Sequence, residues 1–326
     1  MAEKNIIIDI MGGDNAPGEI LKGVRMAEES LEGIDFTLVG DKGRCEGLLW
    51  DSERVRFVDV PYIESDDFRI RRKERTSVTE CASLAKGDVN AAFISAGSTG
   101  AVVAESFLKM GKQTGVDRPA IAVVLPGVKS PTILLDVGAN SDCRPVHFMQ
   151  FAILGSVYAR IVFGCENPRI GLLNIGTEKY KGSKLYTEVF EEFQKYPGMN
   201  FAGNVEASTM LIKDDADVVV CDGFVGNIAL KSMEGISMFI LDSMKGEGFG
   251  QDEVYKLKKH IDYQEYGGAM LLGVNGNVVI THGASECVAI RNAIKFASLL
   301  IDNRMLLKIK EEIQSFNKEA EEKQSE

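Results

Sequence analysis

Five short apolar runs in this chain each end in glycine mixed with Asp, Asn, Ser or Thr. They are Ile6–Asp14 (IIIDIMGGD), Ala91–Gly100 (AAFISAGSTG), Ile133–Asn140 (ILLDVGAN), Gly171–Glu178 (GLLNIGTE) and Asp217–Asn227 (DVVVCDGFVGN). A β-branched apolar run of four or five residues reads as a strand buried on both faces. Glycine just after it lets the backbone turn sharply and bring its N–H groups close to a ligand. In open α/β sheets, ligands sit beyond the carboxyl ends of the strands. Five ends with the same amide- and hydroxyl-rich chemistry predict one anion-binding crevice assembled from the whole chain.

Between these runs the pattern alternates strand and helix. Helices are expected over 17–32, 77–87, 98–111, 145–163, 183–196, 206–213, 225–244, 253–260 and 285–301. Strands beyond the five are expected near 35–39, 55–60, 119–125 and 200–203, with a strand pair over 269–282. No solenoid repeat and no low-complexity linker divides the 326 residues. The expectation is a single domain over 1–326, in which two lobes around a cleft are admissible, with 308–326 as a frayed charged tail. The apolar stretch Val146–Gly164 contains His147, Gln150, Ser156 and Arg160, and so falls short of a membrane span. It reads as a helix buried in the core or in a subunit interface. The chain enters a strand almost at once, which predicts no signal peptide.

Charge narrows the partners. With 37 basic and 48 acidic residues the net charge is −11, which argues against nucleic acid. The densest basic run, Arg69–Lys73 with Arg75, is either a solvated face or a patch that steers an acidic carrier or phosphate. Six scattered cysteines form no CxxC pair and three histidines stand far apart, so zinc-ligand spacing is absent. The cysteines read as reduced, buried thiols of a cytosolic protein.

Each strand end admits two readings. Asp9, Gly12, Gly13 and Asp14 precede Pro17, a strand–glycine–helix order that places an anion at a helix N-terminus, or else a tight turn with capping carboxylates. Ser98 and Thr99, within Ser95–Gly100, either cap the next helix or hold a phosphate. Asp136 and Glu178 hydrogen-bond backbone amides or meet a cation. Lysines 179, 181 and 184 follow the fourth run, and a lysine there can neutralise phosphate, although at least two of the three belong to a solvated loop. Asn227 either donates to a developing oxyanion or caps its helix, with Lys231 one turn on. His282, before Ser285, either contacts substrate or holds a turn.

Taken in order, these segments carry a resemblance. DIMGGDNAP (9–17), SAGSTGA (95–101), DRPA (117–120), LLDVGAN (134–140), GSVYA (155–159), PRIGLLNIGTE (168–178), FAGNVE (201–206), VVVCDGFVGNIALK (218–231), YGGAMLLGVNG (266–276) and THGAS (281–285) are collinear with the motifs of a known family. The chain resembles the bacterial phosphate acyltransferases of phospholipid synthesis. That resemblance implies a three-layer αβα fold like those of the isocitrate and isopropylmalate dehydrogenases and of phosphotransacetylases. It implies a homodimer in the cytoplasm that needs no cofactor or metal. The implied reaction is acyl-acyl carrier protein plus inorganic phosphate giving acyl phosphate and free carrier. The acyl phosphate would feed a membrane glycerol-3-phosphate acyltransferase.

On the family pattern Lys181 and Asn227 fall at active-site positions. The substrate site would be lined by Asp9, Gly12, Gly13 and Asp14, then by Ser95, Gly97, Ser98, Thr99 and Gly100. Asp136, Gly138 and Asn140 would join Asn174, Gly176 and Glu178. Asp222, Gly223, Gly226 and Lys231, with His282 and Ser285, would complete it. Ser98 stands where the family has asparagine, Ala284 and Glu286 replace serine and aspartate, and Glu74 and Arg75 interrupt a basic run. Segment 236–265 is shorter than in many relatives, where an apolar helical tip touches membrane. Here Met238–Leu241, near Lys256, Lys258, Lys259 and His260, keeps that character and predicts weak peripheral contact.

The residue types suit this chemistry. Phosphate is already anionic near neutral pH and needs positioning more than deprotonation. The attacked thioester develops an oxyanion, which amides and an Asn side chain serve. The thiolate leaves readily, so direct attack without an acyl-enzyme is expected. Three rivals remain open: an acetyl-CoA phosphotransacetylase, a metal-dependent decarboxylating dehydrogenase, and a non-catalytic phosphate or lipid sensor. The dehydrogenase needs clustered aspartates, whereas the strand ends here offer one carboxylate each.

Overall fold

The computed structural model describes residues 4–63, 75–261 and 267–325. Arg69–Lys73 of the basic run lie outside them; Arg75 is described and pairs with Glu80 at 2.8 Å. The chain forms two compact units, one from Met1–Pro119 with Tyr266–Glu326 and one from Ala120–Glu265.

In chain order the elements begin with β1 (Lys4–Asp9), α1 (Gly18–Ser30), β2 (Ile34–Gly40), β3 (Val55–Asp59), α2 (Ser77–Leu84), β4 (Ala91–Ser95) and α3 (Thr99–Met110). The second unit supplies β5 (Ala120–Leu125), β6 (Thr132–Leu135), α4 (Pro145–Phe163), β7 (Ile170–Asn174), α5 (Lys184–Lys195), β8 (Phe201–Glu206), β9 (Val218–Val220), α6 (Gly223–Gly246) and α7 (Gln251–Ile261). The chain then returns to the first unit with β10 (Ala269–Leu272), β11 (Asn277–Ile280), α8 (Cys287–Asp302) and α9 (Met305–Ser325).

The first unit's strands run β3-β2-β1-β4-β11-β10, parallel except for β10. From β1 the chain steps to β2 on one side, while β4 lies on the other. The order therefore reverses between β1 and β4, where Asp9–Asp14 and Ser95–Gly100 emerge, the place where such sheets bind ligands. Helix α8 packs on α1 and rests on β1, β4 and β11. The tail expected to fray is instead helix α9, because Ile309, Ile313 and Phe316 repeat at helical spacing and are buried.

The second unit's strands run β5-β6-β9-β7-β8, with a β5–β6 hairpin and the rest parallel. Because β9 lies between β6 and β7, the ends bearing residues 136–140, 222–227 and 174–181 are neighbours. Helix α4 closes one face of this sheet. Gly155 makes the close approach possible, since a Cβ there would stand 2.6 Å from Val218 Cγ1 and 3.0 Å from Leu135 Cδ2. Helices α4 and α6 are both long and apolar enough to cross a membrane by length and composition, but 72% of the α4 window is buried and only 11% of the α6 window. By length and composition alone α4 does not fall short of a span as expected; its burial in the core is one of the two placements that its sequence allows.

One expected helix is absent: 206–213 is a run of turns. Thr209 and Met210 N–H both donate to Glu206 O at 3.0 Å, but the chain then meets Lys213–Asp214–Asp215. Asp214 is drawn to Arg169, 2.6 Å away, which also holds Asp217 at 2.8 Å. That fork fixes the entry to β9 rather than a helix.

Candidate functional site

In the first unit the strand ends form one hydrogen-bonded knot. Ser95 Oγ donates to Asp9 Oδ2 at 2.7 Å and accepts from Gly97 N–H at 3.0 Å, and Met11 N–H donates to Asp9 Oδ1 at 3.1 Å. Burial raises the Asp9 carboxyl above its ordinary range, against the pull of Ser95, Ser77, Met11 and Gly12. Gly12 leaves no room for a side chain, since a Cβ would lie 2.5 Å from Asp9 Oδ2 and 2.7 Å from Gly97 N. Asp9 therefore serves the turn rather than facing a ligand. Thr281 N–H donates to Ser95 O at 2.9 Å and Asp14 N–H to Gly283 O at 2.8 Å, which brings the 281–285 loop onto the same knot. His282 Nδ1 accepts from Ala284 N–H at 3.1 Å, the turn-holding arrangement. Ser98 is the N-cap of α3 but makes no side-chain capping bond, and Ser98, Thr99 and Gly100 are exposed. Their amides and hydroxyls face solvent at a helix N-terminus, an arrangement suited to an anion. Among the described residues, the buried hydroxyls of Thr281 and Ser285 have no partner. Thr281 was missed in the sequence because a threonine at a strand end carries no distinctive pattern.

In the second unit the anchor is Asp136. Its carboxylate accepts from the N–H groups of Ile121 (3.0 Å), Gly138 (3.1 Å), Ala139 (3.0 Å) and Asn140 (2.8 Å), and from Asn140 Nδ2 (2.8 Å). Burial pushes this carboxyl up while those donors pull it down. Saturated with N–H donors, Asp136 holds the loop and not a cation. Gly138 takes a φ of +141°, and a Cβ there would lie 3.6 Å from Asn227 Oδ1, so the Asn227 amide stands beside this turn. The first turn of α6 lies against Asp136, since a methyl on Gly226 would run into the Asp136 carbonyl oxygen and stand 2.8 Å from Cys221 Sγ.

The cap of α6 is Asp222, whose Oδ1 accepts from Val225 N–H at 2.9 Å. Asn227, exposed in the first turns of the helix, is therefore not its cap. Of the three lysines after β7, Lys179 pairs with Glu191 at 3.5 Å and Lys184 with Glu188 at 3.7 Å. Lys181 instead folds over Gly176, where a Cβ would meet its Cγ at 3.0 Å, and keeps Glu178 at 4.0 Å. The loop is pinned from below. Asn174 Nδ2 donates to Lys181 O at 3.0 Å and to Asn204 Oδ1 at 3.1 Å, and Asn204 Nδ2 donates to Glu178 O at 2.8 Å. Asn204, from FAGNVE, is a contributor that the sequence reading did not single out. Lys231 turns along its own helix to Glu234 at 2.7 Å. Among the described residues no group of three or more His, Cys, Asp or Glu is placed to hold a metal ion.

Two neighbouring strand ends thus present a lysine over a glycine turn and an exposed carboxamide at the start of α6 beside another, with no adjacent nucleophile–base pair among the described residues. Comparison with solved structures gives the same α/β fold in a branched-chain phosphotransacylase from Enterococcus faecalis V583, with a TM-score of 0.62 and 18% identity over 91% of this chain and 99% of that one. It is also found in a phosphotransacetylase from Streptococcus pyogenes, with a TM-score of 0.62 and 15% identity over 93% and 95%. The family model described as "Fatty acid synthesis protein" matches residues 4–308. The phosphate acyltransferase of Desulforamulus reducens is 42% identical over 95% of this chain and 97% of its own length. That of Thermoanaerobacter pseudethanolicus is 41% identical over 96% and 98%. Fold and relatives together define a transferase enzyme of the phosphotransacylase fold. Within that class the chain belongs to the phosphate acyltransferase family of fatty acid and phospholipid synthesis.

Proposed function

We propose that the chain transfers a fatty acyl group from acyl-acyl carrier protein to inorganic phosphate, releasing acyl phosphate and free carrier. The observation that carries this reading is the pairing, on adjacent strand ends, of Lys181 folded over Gly176 with Asn227 set beside Gly138. A phosphate oxygen attacks the thioester carbonyl carbon. A C–O bond forms, the C–S bond breaks, and the electron pair leaves on the carrier's thiolate. Lys181 neutralises phosphate, and the Asn227 amide donates to the oxyanion that develops on the carbonyl oxygen. The open N-terminus of α3 gives the first unit a second place for anionic substrate groups.

Cys221, the cysteine nearest these strand ends, does not supply a covalent alternative. Burial, with the nearby charges of Asp136 and Asp222, pushes the Cys221 thiol well above its ordinary range. Such a thiol is not a nucleophile at neutral pH. Cys221→Ala is expected to retain turnover, and mass spectrometry of the enzyme mixed with acyl carrier should find no acyl-cysteine. Lys181→Ala should lower turnover at least about tenfold, equivalent to about 1.4 kcal/mol of barrier, in a protein that still folds. An unchanged rate would return Lys181 to the solvated loop.

The test of the reaction is hydroxylamine trapping of acyl phosphate after mixing protein, long-chain acyl carrier and phosphate, with acetyl-CoA as the competing donor. Acyl phosphate formed only when phosphate and acyl carrier are both present is the expected result. Carrier release that is equally fast without phosphate would make the protein a thioesterase, and preference for acetyl-CoA a phosphotransacetylase. Our reading also includes a cytoplasmic homodimer that hands acyl phosphate to a membrane glycerol-3-phosphate acyltransferase. Weak bilayer contact is placed on α6, where Met238 (65% exposed) and Phe239 (71% exposed) project. Salt-sensitive pelleting with anionic vesicles, lost in Phe239→Asp, is the expected outcome; no pelleting at low salt would remove the membrane from the reading.

A further inference from the structure

Between the Lys181 turn and the Asn227 helix stands one aromatic side chain that neither motif contains. Tyr186 lies in the first turn of α5, with its backbone N–H directed to the Ser183 cap. Its phenol donates to Asp222 Oδ2 at 2.7 Å, and Asp222 N–H points back to the phenol oxygen at 3.4 Å. The other oxygen of Asp222 caps α6. On its near side the ring stem supports the lysine turn. Gly182 has a φ of +91°, and a Cβ there would stand 3.0 Å from Tyr186 Cβ and 2.7 Å from Asn174 Oδ1. On its far side the ring meets Phe148 edge-on, with centroids 5.4 Å apart. The residue is 8% exposed, and burial, with the hydrogen bond to Asp222 and its charge, raises the phenol, so it stays protonated and remains a donor.

We propose that Tyr186 is a positioning residue, whose hydroxyl locks the Asp222 cap and whose stem backs Gly182 at the end of the Lys181 turn, so that one side chain sets the placement of both groups. This rests on the reading of Lys181 and Asn227 as the reacting pair. The hydroxyl is the part that can be removed cleanly. Tyr186→Phe keeps the ring, the Phe148 contact and the support of Gly182, but leaves Asp222 Oδ2 without its donor. Misplacement of an oxyanion donor by a fraction of an ångström is felt in the transition state more than in binding. The loss should therefore fall on kcat.

The test combines kinetics with amide hydrogen exchange on the whole chain. Tyr186→Phe should lower kcat for acyl phosphate formation about tenfold, with KM for phosphate and for acyl carrier changed less than about twofold. In an Asn227→Ala background the same substitution should change kcat less than about twofold, because the group it positions is already gone. Exchange of the Val225 amide and of the following turn should quicken about tenfold. Equal kcat losses in both backgrounds, or unchanged exchange at 225–227, would overturn the proposal and leave Tyr186 a packing residue. Exchange reads positioning without any turnover. A wild-type protein that makes no acyl phosphate would therefore sink the reaction while the exchange result still decided the role of Tyr186. If Tyr186→Phe fails to fold, Asp222→Ser tests the same bond from its other end. Serine still caps a helix but offers the phenol no second acceptor, so the same kcat loss and the same faster exchange are expected, and wild-type values in both would overturn the proposal.

Discussion

Asn227→Asp is expected to lower kcat by about 10²–10³, the usual cost of losing one oxyanion donor. The substitution keeps the shape of the side chain and exchanges its N–H₂ donor for a second acceptor carrying negative charge. Two competing readings of Asn227 make the opposite forecast. An N-cap would tolerate aspartate, but that post is filled by Asp222 through Val225. A bystander on an exposed helix would tolerate it too, and a carboxylate near a helix N-terminus is mildly stabilising. The thermal midpoint should therefore hold or rise while turnover collapses. Steady-state rates of acyl phosphate formation beside a melting curve check both halves. Activity within about threefold of wild type would remove Asn227 from the chemistry.

The chain reads directly where a local pattern and a local force coincide. Helix α4 falls on Pro145–Phe163 as expected, because Pro145 starts it and Gly164, left-handed at φ 65°, ends it. The strand ends also read directly, since a β-branched run followed by glycine is itself the cause of the turn. What did not read were choices made by distant partners. Asp222 rather than Asn227 caps α6, a matter of five residues that local chemistry leaves balanced. Residues 206–213 fail to become a helix because Arg169, far back in the chain, takes Asp214. Where the chain divides is equally invisible locally, since the first unit closes only when β11 returns to lie parallel to β4. Tyr186 is a tyrosine in an amphipathic helix until Asp222 arrives beneath it.

Asp136→Ala should cost about 3 kcal/mol or more of the second unit's stability, the largest loss expected from any single strand-end substitution. Ile121 N–H is a buried donor that alanine leaves unmet, at about 1–3 kcal/mol, and the Asn140 N–H and Nδ2 lose their Asp136 bonds, at about 1 kcal/mol each. Gly138 and Ala139 are partly open and can turn to water, so they add little. Against this, alanine removes a carboxyl whose burial already raises its pKa, and that relief offsets part of the loss. The donors outnumber the single charge, so destabilisation wins. Asp136→Asn should fall between, since one carbonyl oxygen still accepts while its N–H₂ meets donors. Urea unfolding followed by a probe in the second unit measures the series, with a lowered midpoint and an unchanged slope as the expected result. A loss below about 1 kcal/mol for alanine would mean that these amides are free to reach elsewhere, and would return Asp136 to the ligand-facing role its sequence position first allowed.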